Sequence, residues 1–259
     1  KKVYRQSDPV FINILDHIRT SQVANSDLIK LNERVGATLD EGDSRLAITL
    51  STRRDTVDFI NENKLKELPG APTLFRGTIE GEFPESSLPT PMELYLKTGA
   101  QVIFIKNDID HQWVNGTLGT VIGFDDDENS RIYVRTENGE DVMVEPAAWS
   151  NMRYHFNETE KKIEEEEIGR YTQYPLRLAW AITVHKSQGL TFKQVKIDFT
   201  GGVFAGGQTY VALSRCTSLE GISLQEPIRH NEVFVRNEVK QFARQYNDHN
   251  IINNALLQS

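Results

Sequence analysis

The chain of 259 residues has a single cysteine, Cys216, so no internal disulfide can form, which fits a reducing compartment. Cys216 stands in an apolar run, a setting that suits packing rather than reactivity. No stretch of eighteen apolar residues occurs, so no membrane-spanning helix is expected, and no signal-peptide pattern is visible. No histidine or cysteine spacing suits a structural metal, and none is expected. The loop Gly-x-x-x-x-Gly-Lys-[Ser/Thr], whose backbone cradles nucleotide phosphates, is absent. No acidic run looks like the metal-holding partner of such a loop.

Charge is present but unevenly placed. The net charge is −8, yet residues 108–167 hold 16 acids and 5 bases while the remainder is net +3. The acids gather in Asp125-Asp-Asp-Glu128 and in Glu164 to Glu167, both read as solvated surface. A weakly positive remainder is compatible with nucleic acid.

The pattern along the chain is α/β at the ends and β in the middle. Ser7-Asp8-Pro9 opens a helix, with a capping side chain followed by proline in the first turn, and Phe11, Ile14, Leu15 and Ile18 follow at helical spacing. A second helix starts at Ser26 or Asp27. Leu46 to Leu50 reads as a strand and Thr52 to Leu68 as a helix stopped by Pro69-Gly70. Strand-sized segments then recur at 101–105, 117–124, 131–136 and 141–145, divided by turn signals that include Asn115-Gly116 and Asn138-Gly139. Ile197 to Phe199 reads as another strand, Gln208 to Arg215 as a helix after a glycine-rich loop, and Glu232 to Tyr246 as a final amphipathic helix.

The most informative segment is Leu178-Ala-Trp-Ala-Ile-Thr-Val-His-Lys-Ser-Gln-Gly189, an apolar element that delivers a polar tip ending in glycine. Soon after comes Gly207-Gln-Thr-Tyr-Val-Ala-Leu-Ser-Arg-Cys216, an apolar run that presents one arginine. The two closely resemble motifs V and VI of superfamily 1 helicases of the Pif-type and RecD-type branch. Val3-Tyr-Arg-Gln6 resembles motif IV. Leu96 to Val102, Lys106-Asn-Asp108 and Asn115 to Gly119 add a further match in the family's order. The resemblance implies the C-terminal half of an ATP-dependent 5′→3′ DNA helicase, and a start at Lys1 without methionine fits such a piece. The implied fold is a RecA-like parallel-sheet domain at 1–95 and 174–259, with a small SH3-like β-barrel inserted at 96–173.

The resemblance also implies roles. Arg215 would be an arginine finger on the γ-phosphate of ATP, a fixed cation that stabilises charge in the transition state. Arg5 would be a second γ-phosphate arginine. Gln188, Gly189 and Gln208 would couple nucleotide state to DNA grip. Thr52 and Arg53, at a helix start suited to phosphate, would join Thr183, His185, Lys186 and Ser187 along single-stranded DNA, with Lys106, Asn107 and Asn115 on the barrel. His111 or Trp113 could stack on a base, although Trp113 also reads as barrel core. ATP and Mg²⁺ would serve the intact protein, none being expected on this chain alone. The partners would be single-stranded DNA and an absent N-terminal RecA-like domain, without a membrane, in the bacterial cytoplasm at the nucleoid. The alternative is a stand-alone DNA-binding or regulatory protein derived from a helicase. An SH3-like interaction module would leave 178–216 unexplained.

Overall fold

A computed structural model describes residues 8–40, 46–125, 131–157, 161–203 and 207–233. Arg5, most of the acidic tract after Asp125, and the helix expected over 232–246 beyond Val233 lie outside them. The order begins with α1 (Pro9–Thr20), α2 (Asn25–Asn32), β1 (Ala47–Ser51) and α3 (Arg54–Glu67). Short strands follow: β2 (Thr73–Arg76), β3 (Thr78–Gly81), β4 (Glu93–Leu96), β5 (Gln101–Phe104), β6 (Leu118–Phe124), β7 (Ile132–Thr136) and β8 (Asp141–Val144). Two long strands come next, β9 (Ala147–Asn157) and β10 (Lys162–Gln173), then β11 (Leu176–Leu178), β12 (Ala181–Thr183), β13 (Gln194–Asp198), α4 (Gln208–Leu213) and β14 (Ile222–Leu224).

These divide into two compact units. The first is Lys1–Glu41, Ala47–Val57 and Ile182–Ser259, and the second is Gly42–Leu46 and Asp58–Ala181. In the first, a mixed α/β unit, the sheet runs β12-β1-β13-β14, with β1, β13 and β14 parallel. Ile48 and Leu50 of β1, Val195 of β13 and Ile222 of β14 are fully buried, as near-continuous apolar strands of a covered parallel sheet should be. α1 begins where Asp8 accepts from the Val10 and Phe11 amides, and Pro9 sits where no amide is needed. Phe11, Ile14, Leu15 and Ile18 all face inward, one apolar stripe at helical spacing. Cys216 is wholly buried in this unit, its Sγ donating to the Lys193 carbonyl at 3.4 Å.

Burial pushes the Cys216 thiol up to about 11 from 9.0. A raised thiol value means the unfolded chain releases its proton first. The contribution is therefore intact below pH 9 and is lost as pH rises through 11, a difference of about 3 kcal/mol for two pH units. Urea unfolding at pH 8 and pH 11 should show the native chain losing about 2 kcal/mol more stability than a Cys216→Ala variant, since at pH 11 the folded thiol is half ionised. Parallel losses in both proteins would show that the thiol plays no part.

In the second unit, β11-β5-β6-β7-β8 form an antiparallel sheet, β3-β10-β9 a second, and β2-β4 a third. Among the described strands no pairing joins β8 to β11, so the five-stranded sheet is open rather than a closed barrel. Its core includes Phe75, Leu96, Val102, Phe104, Val134 and Leu176. The unit is wider than the stretch 96–173 marked by the sequence. β2 and β4 supply Phe75, Leu94 and Leu96 to that core, and β11 pairs with β5. The β7–β8 hairpin turns at Asn138-Gly139, where Gly139 takes φ +86°, a left-handed value that favours glycine.

Candidate functional site

β12 ends in a tight turn over 184–189. The Ser187 amide donates to the carbonyls of Thr183 and Val184 at 3.1 and 3.2 Å, and the Leu190 amide donates to the Ser187 carbonyl at 3.0 Å. The Thr183 hydroxyl oxygen accepts from the Lys186 amide at 3.3 Å. Ser187 is fully buried and its hydroxyl donates to the Val184 carbonyl at 2.7 Å. Expected among the residues along single-stranded DNA, its side chain here anchors the turn from inside. His185, Lys186, Gln188 and Gly189 lie on the outside.

Arg215 follows α4 and is fastened to that turn. Its Nη1 donates to the carbonyls of Ser187 at 3.3 Å and Leu190 at 3.0 Å. Nε donates to the Val211 carbonyl at 2.9 Å and Nη2 to the Ser214 hydroxyl at 2.9 Å. The backbones meet as well, the Phe192 amide donating to the Arg215 carbonyl at 2.7 Å. Gln208, the first residue of α4, is partly exposed.

Thr52 and Arg53 leave the end of β1. The Val184 amide donates to the Ser51 carbonyl at 2.9 Å, and Ser51 is the register partner of Asp198. The carboxyl ends of β12, β1 and β13 thus meet, the edge of an open α/β sheet where ligands bind. The Thr52 hydroxyl donates to the Gly202 carbonyl at 3.0 Å. Arg53 forks onto Asp55, which raises the guanidinium's pKa and lowers the carboxyl's. The loop Gly201-Gly202 therefore belongs to this edge, a participant that the reading of single residues missed. Its signal was the Gly-Gly pair itself: φ is +92° and +96°, and a Cβ on Gly201 would stand 3.0 Å from Arg53 Cδ.

In the second unit Lys106, Asn107 and Asn115 share one loop. The Asn107 side-chain oxygen accepts from the Asn115 amide at 2.8 Å. The Lys106 ammonium donates to the Ala148 carbonyl at 2.5 Å and lies 5.1 Å from the Trp149 ring centroid. As placed, the side chain expected to contact DNA is partly exposed and rests on β9. Trp113 is buried, stacked 4.5 Å from Phe104, with its indole N–H donating to the Lys106 carbonyl at 3.2 Å. Its core reading holds, and it offers no platform for a base. Among the described residues, no group of three His, Cys, Asp or Glu could hold a metal ion. No described helix is long and apolar enough to cross a membrane.

No family model matches the sequence. Known proteins nevertheless do. The ATP-dependent DNA helicase PIF1 of Danio rerio is 35% identical over 238 residues, covering 87% of this chain and 34% of the relative. Unliganded Pif1 from Bacteroides sp. superposes with a TM-score of 0.84 at 38% identity, over 96% of this chain and 56% of that one. The chain belongs to the Pif1 helicase family. Its parallel-sheet α/β fold matches that of Bacteroides Pif1. The Bacteroides protein has also been seen with ADP-AlF3 and single-stranded DNA, and that structure matches at 38% identity with a TM-score of 0.69, over 96% and 56% of the two chains. This chain thus spans about a third of the zebrafish Pif1 and just over half of the Bacteroides structures.

Proposed function

We propose that this Pif1-family chain is the C-terminal motor half of an ATP-dependent 5′→3′ DNA helicase, completed by a separate RecA-like domain that carries the phosphate-binding loop. The observation that carries this reading is the union, at one sheet edge, of an outward polar turn and an arginine tied to it. His185 and Lys186 project from that turn, Thr52 and Arg53 stand at the neighbouring strand end, and Arg215 holds the turn's carbonyls. Donors of this kind suit the backbone phosphates of single-stranded DNA. The relative seen with ADP-AlF3 and single-stranded DNA supports both ligands.

In this reading Thr183, His185, Lys186, Thr52 and Arg53 bind the DNA backbone, and Asn107 and Asn115 add contacts from an SH3-like insertion within 96–173. Ser187 positions the turn. Gln188, Gly189 and Gln208 relay nucleotide state, and Arg215, with Arg5, faces the γ-phosphate. ATP held by the other half would have its developing charge met by Arg215. Mg²⁺ would travel with the ATP phosphates, and this reading assigns it to the other half, which carries the phosphate-binding loop.

The pure chain should hydrolyse no ATP, with or without oligothymidine, because an arginine finger acts only on a nucleotide already held. Phosphate release above a no-protein control would overturn the division of labour.

A further inference from the structure

We propose that Arg215 is also the positioning residue of the DNA-facing turn, and that the terminal phosphate of ATP loosens this turn by drawing the guanidinium away from it. This rests on the reading of Arg215 as the γ-phosphate cation. A guanidinium has five N–H donors in a rigid fork, two of them on Nη1. Both carbonyls that Nη1 meets, Ser187 and Leu190, belong to one turn and its exit. Nε and one N–H of Nη2 are engaged within the arginine's own helix end, by Val211 and Ser214, so a phosphate that forks across both Nη atoms draws on Nη1. An anion that takes Nη1 must therefore displace the turn. Phosphate is the stronger acceptor, since a bond between two charged groups exceeds one from a cation to a neutral carbonyl.

The turn is built to respond. The Ser187 amide and hydroxyl are bonded to the Thr183 and Val184 carbonyls independently of Arg215, so the inner half stays closed when the guanidinium leaves, while the Leu190 amide bond to the Ser187 carbonyl loses its support. Gly189 lies between the two carbonyls at φ +85°, exposed, with nothing within 4 Å of a Cβ placed there. Movement can therefore concentrate at 188–190 while Ser187 stays anchored through Val184. Gln188 rides on the mobile part, and Lys186 and His185 adjoin it.

Hydrogen exchange over 183–192 tests this in two arms. In the present chain without nucleotide, Arg215→Ala and Arg215→Gln should speed exchange of the Leu190 amide about tenfold, the loss of roughly one hydrogen bond. Exchange across β13 and the melting midpoint should hardly change. Unaltered exchange at Leu190 would overturn the positioning role, and a general rise across β13 would reduce it to ordinary fold stability. In the complete helicase, ADP with aluminium fluoride should speed exchange at Leu190 relative to ADP alone, and Arg215→Ala should abolish that difference. Equal or slower exchange in the wild type with the bound analogue would overturn the release. If Arg215→Ala loosens the turn but leaves ATP turnover and analogue affinity untouched, the γ-phosphate reading fails while the positioning role stands.

Discussion

Arg215→Ala in the complete helicase should lower kcat for ATP by about 10³-fold or more at saturating DNA. The side chain is a fixed cation with donors in a planar fork, and nothing in alanine can meet charge that develops on a transferring phosphoryl group. Arg215→Lys should recover little, because an ammonium cannot reproduce the fork. The KM for ATP should change far less than kcat, since the finger acts mainly in the transition state. DNA affinity should also fall, by a smaller factor, because the same guanidinium holds the Ser187 and Leu190 carbonyls. Steady-state turnover and equilibrium DNA binding on the same preparations separate the two effects. A kcat within tenfold of wild type would remove Arg215 from the chemistry.

Gly169→Ala should destabilise the second unit by about 3 kcal/mol or more, the range of severe overpacking. Gly169 of β10 pairs with Gly81 of β3, where two backbones approach too closely for side chains. A Cβ on Gly169 would stand 2.0 Å from the Glu82 carbonyl oxygen, and its neighbours there are backbone atoms that cannot swing aside. Relief requires moving the segment whose Glu82 amide donates to the Ile168 carbonyl at 2.8 Å. The register of β10 already shifts between Glu167 and Gly169, so the ladder has no slack at that point. Gly139→Ala is the control: it carries the conformational penalty of a left-handed glycine, φ +86°, which Gly169 does not, but its Cβ would meet nothing within 4 Å. It should cost about 1 kcal/mol. Calorimetry should show the Gly169→Ala transition roughly 10 °C lower, at 2–4 °C per kcal/mol for a unit of this size. Equal losses at the two positions would mean that the close approach does not exist.

Local chemistry explains which parts of the fold could be read from the sequence. The Asp8-Pro9 cap, the stripe from Phe11 to Ile18, the strand at 47–51 and the Asn138-Gly139 turn depend on neighbours in sequence, and all are found within a residue or two of their expected places. β9 and β10 were not legible. They form an 11-residue and a 12-residue strand paired through their length, but neither face of the outer part is buried. Tyr154, Phe156 and Ile163 are exposed beside Glu164 to Glu167, so the alternation that marks a half-buried strand never appears. The acidic run, read as solvated surface, is the exposed part of a strand, with Glu164 bonded to His155 and Glu167 to Ser150 and Arg170.

The site divides in the same way. Its segments, 178–189 and 207–216, stand out as abrupt changes from apolar to polar residues. Which polar side chain turns inward is a tertiary fact. Ser187 and Lys186 are adjacent, yet one is buried against Val184 and the other faces outward. Lys106 carries the same charge as Lys186 and is drawn onto the Ala148 carbonyl by a strand that sequence reasoning had not found.

Single-stranded DNA binding by this chain, read by fluorescence anisotropy of a labelled oligothymidine at two salt concentrations, tests the central claim most directly. The wild type should bind in the non-specific range of about 10⁻⁴ to 10⁻⁶ M and weaken steeply with salt. Lys186→Ala should lower the salt slope by about 0.7, one phosphate contact on a single strand, while charge reversal within Glu164 to Glu167 changes affinity little. If Lys186→Ala keeps wild-type affinity and slope while reversal at 164–167 alters binding strongly, the DNA lies elsewhere and the sheet edge at Thr52, His185 and Lys186 is not its track.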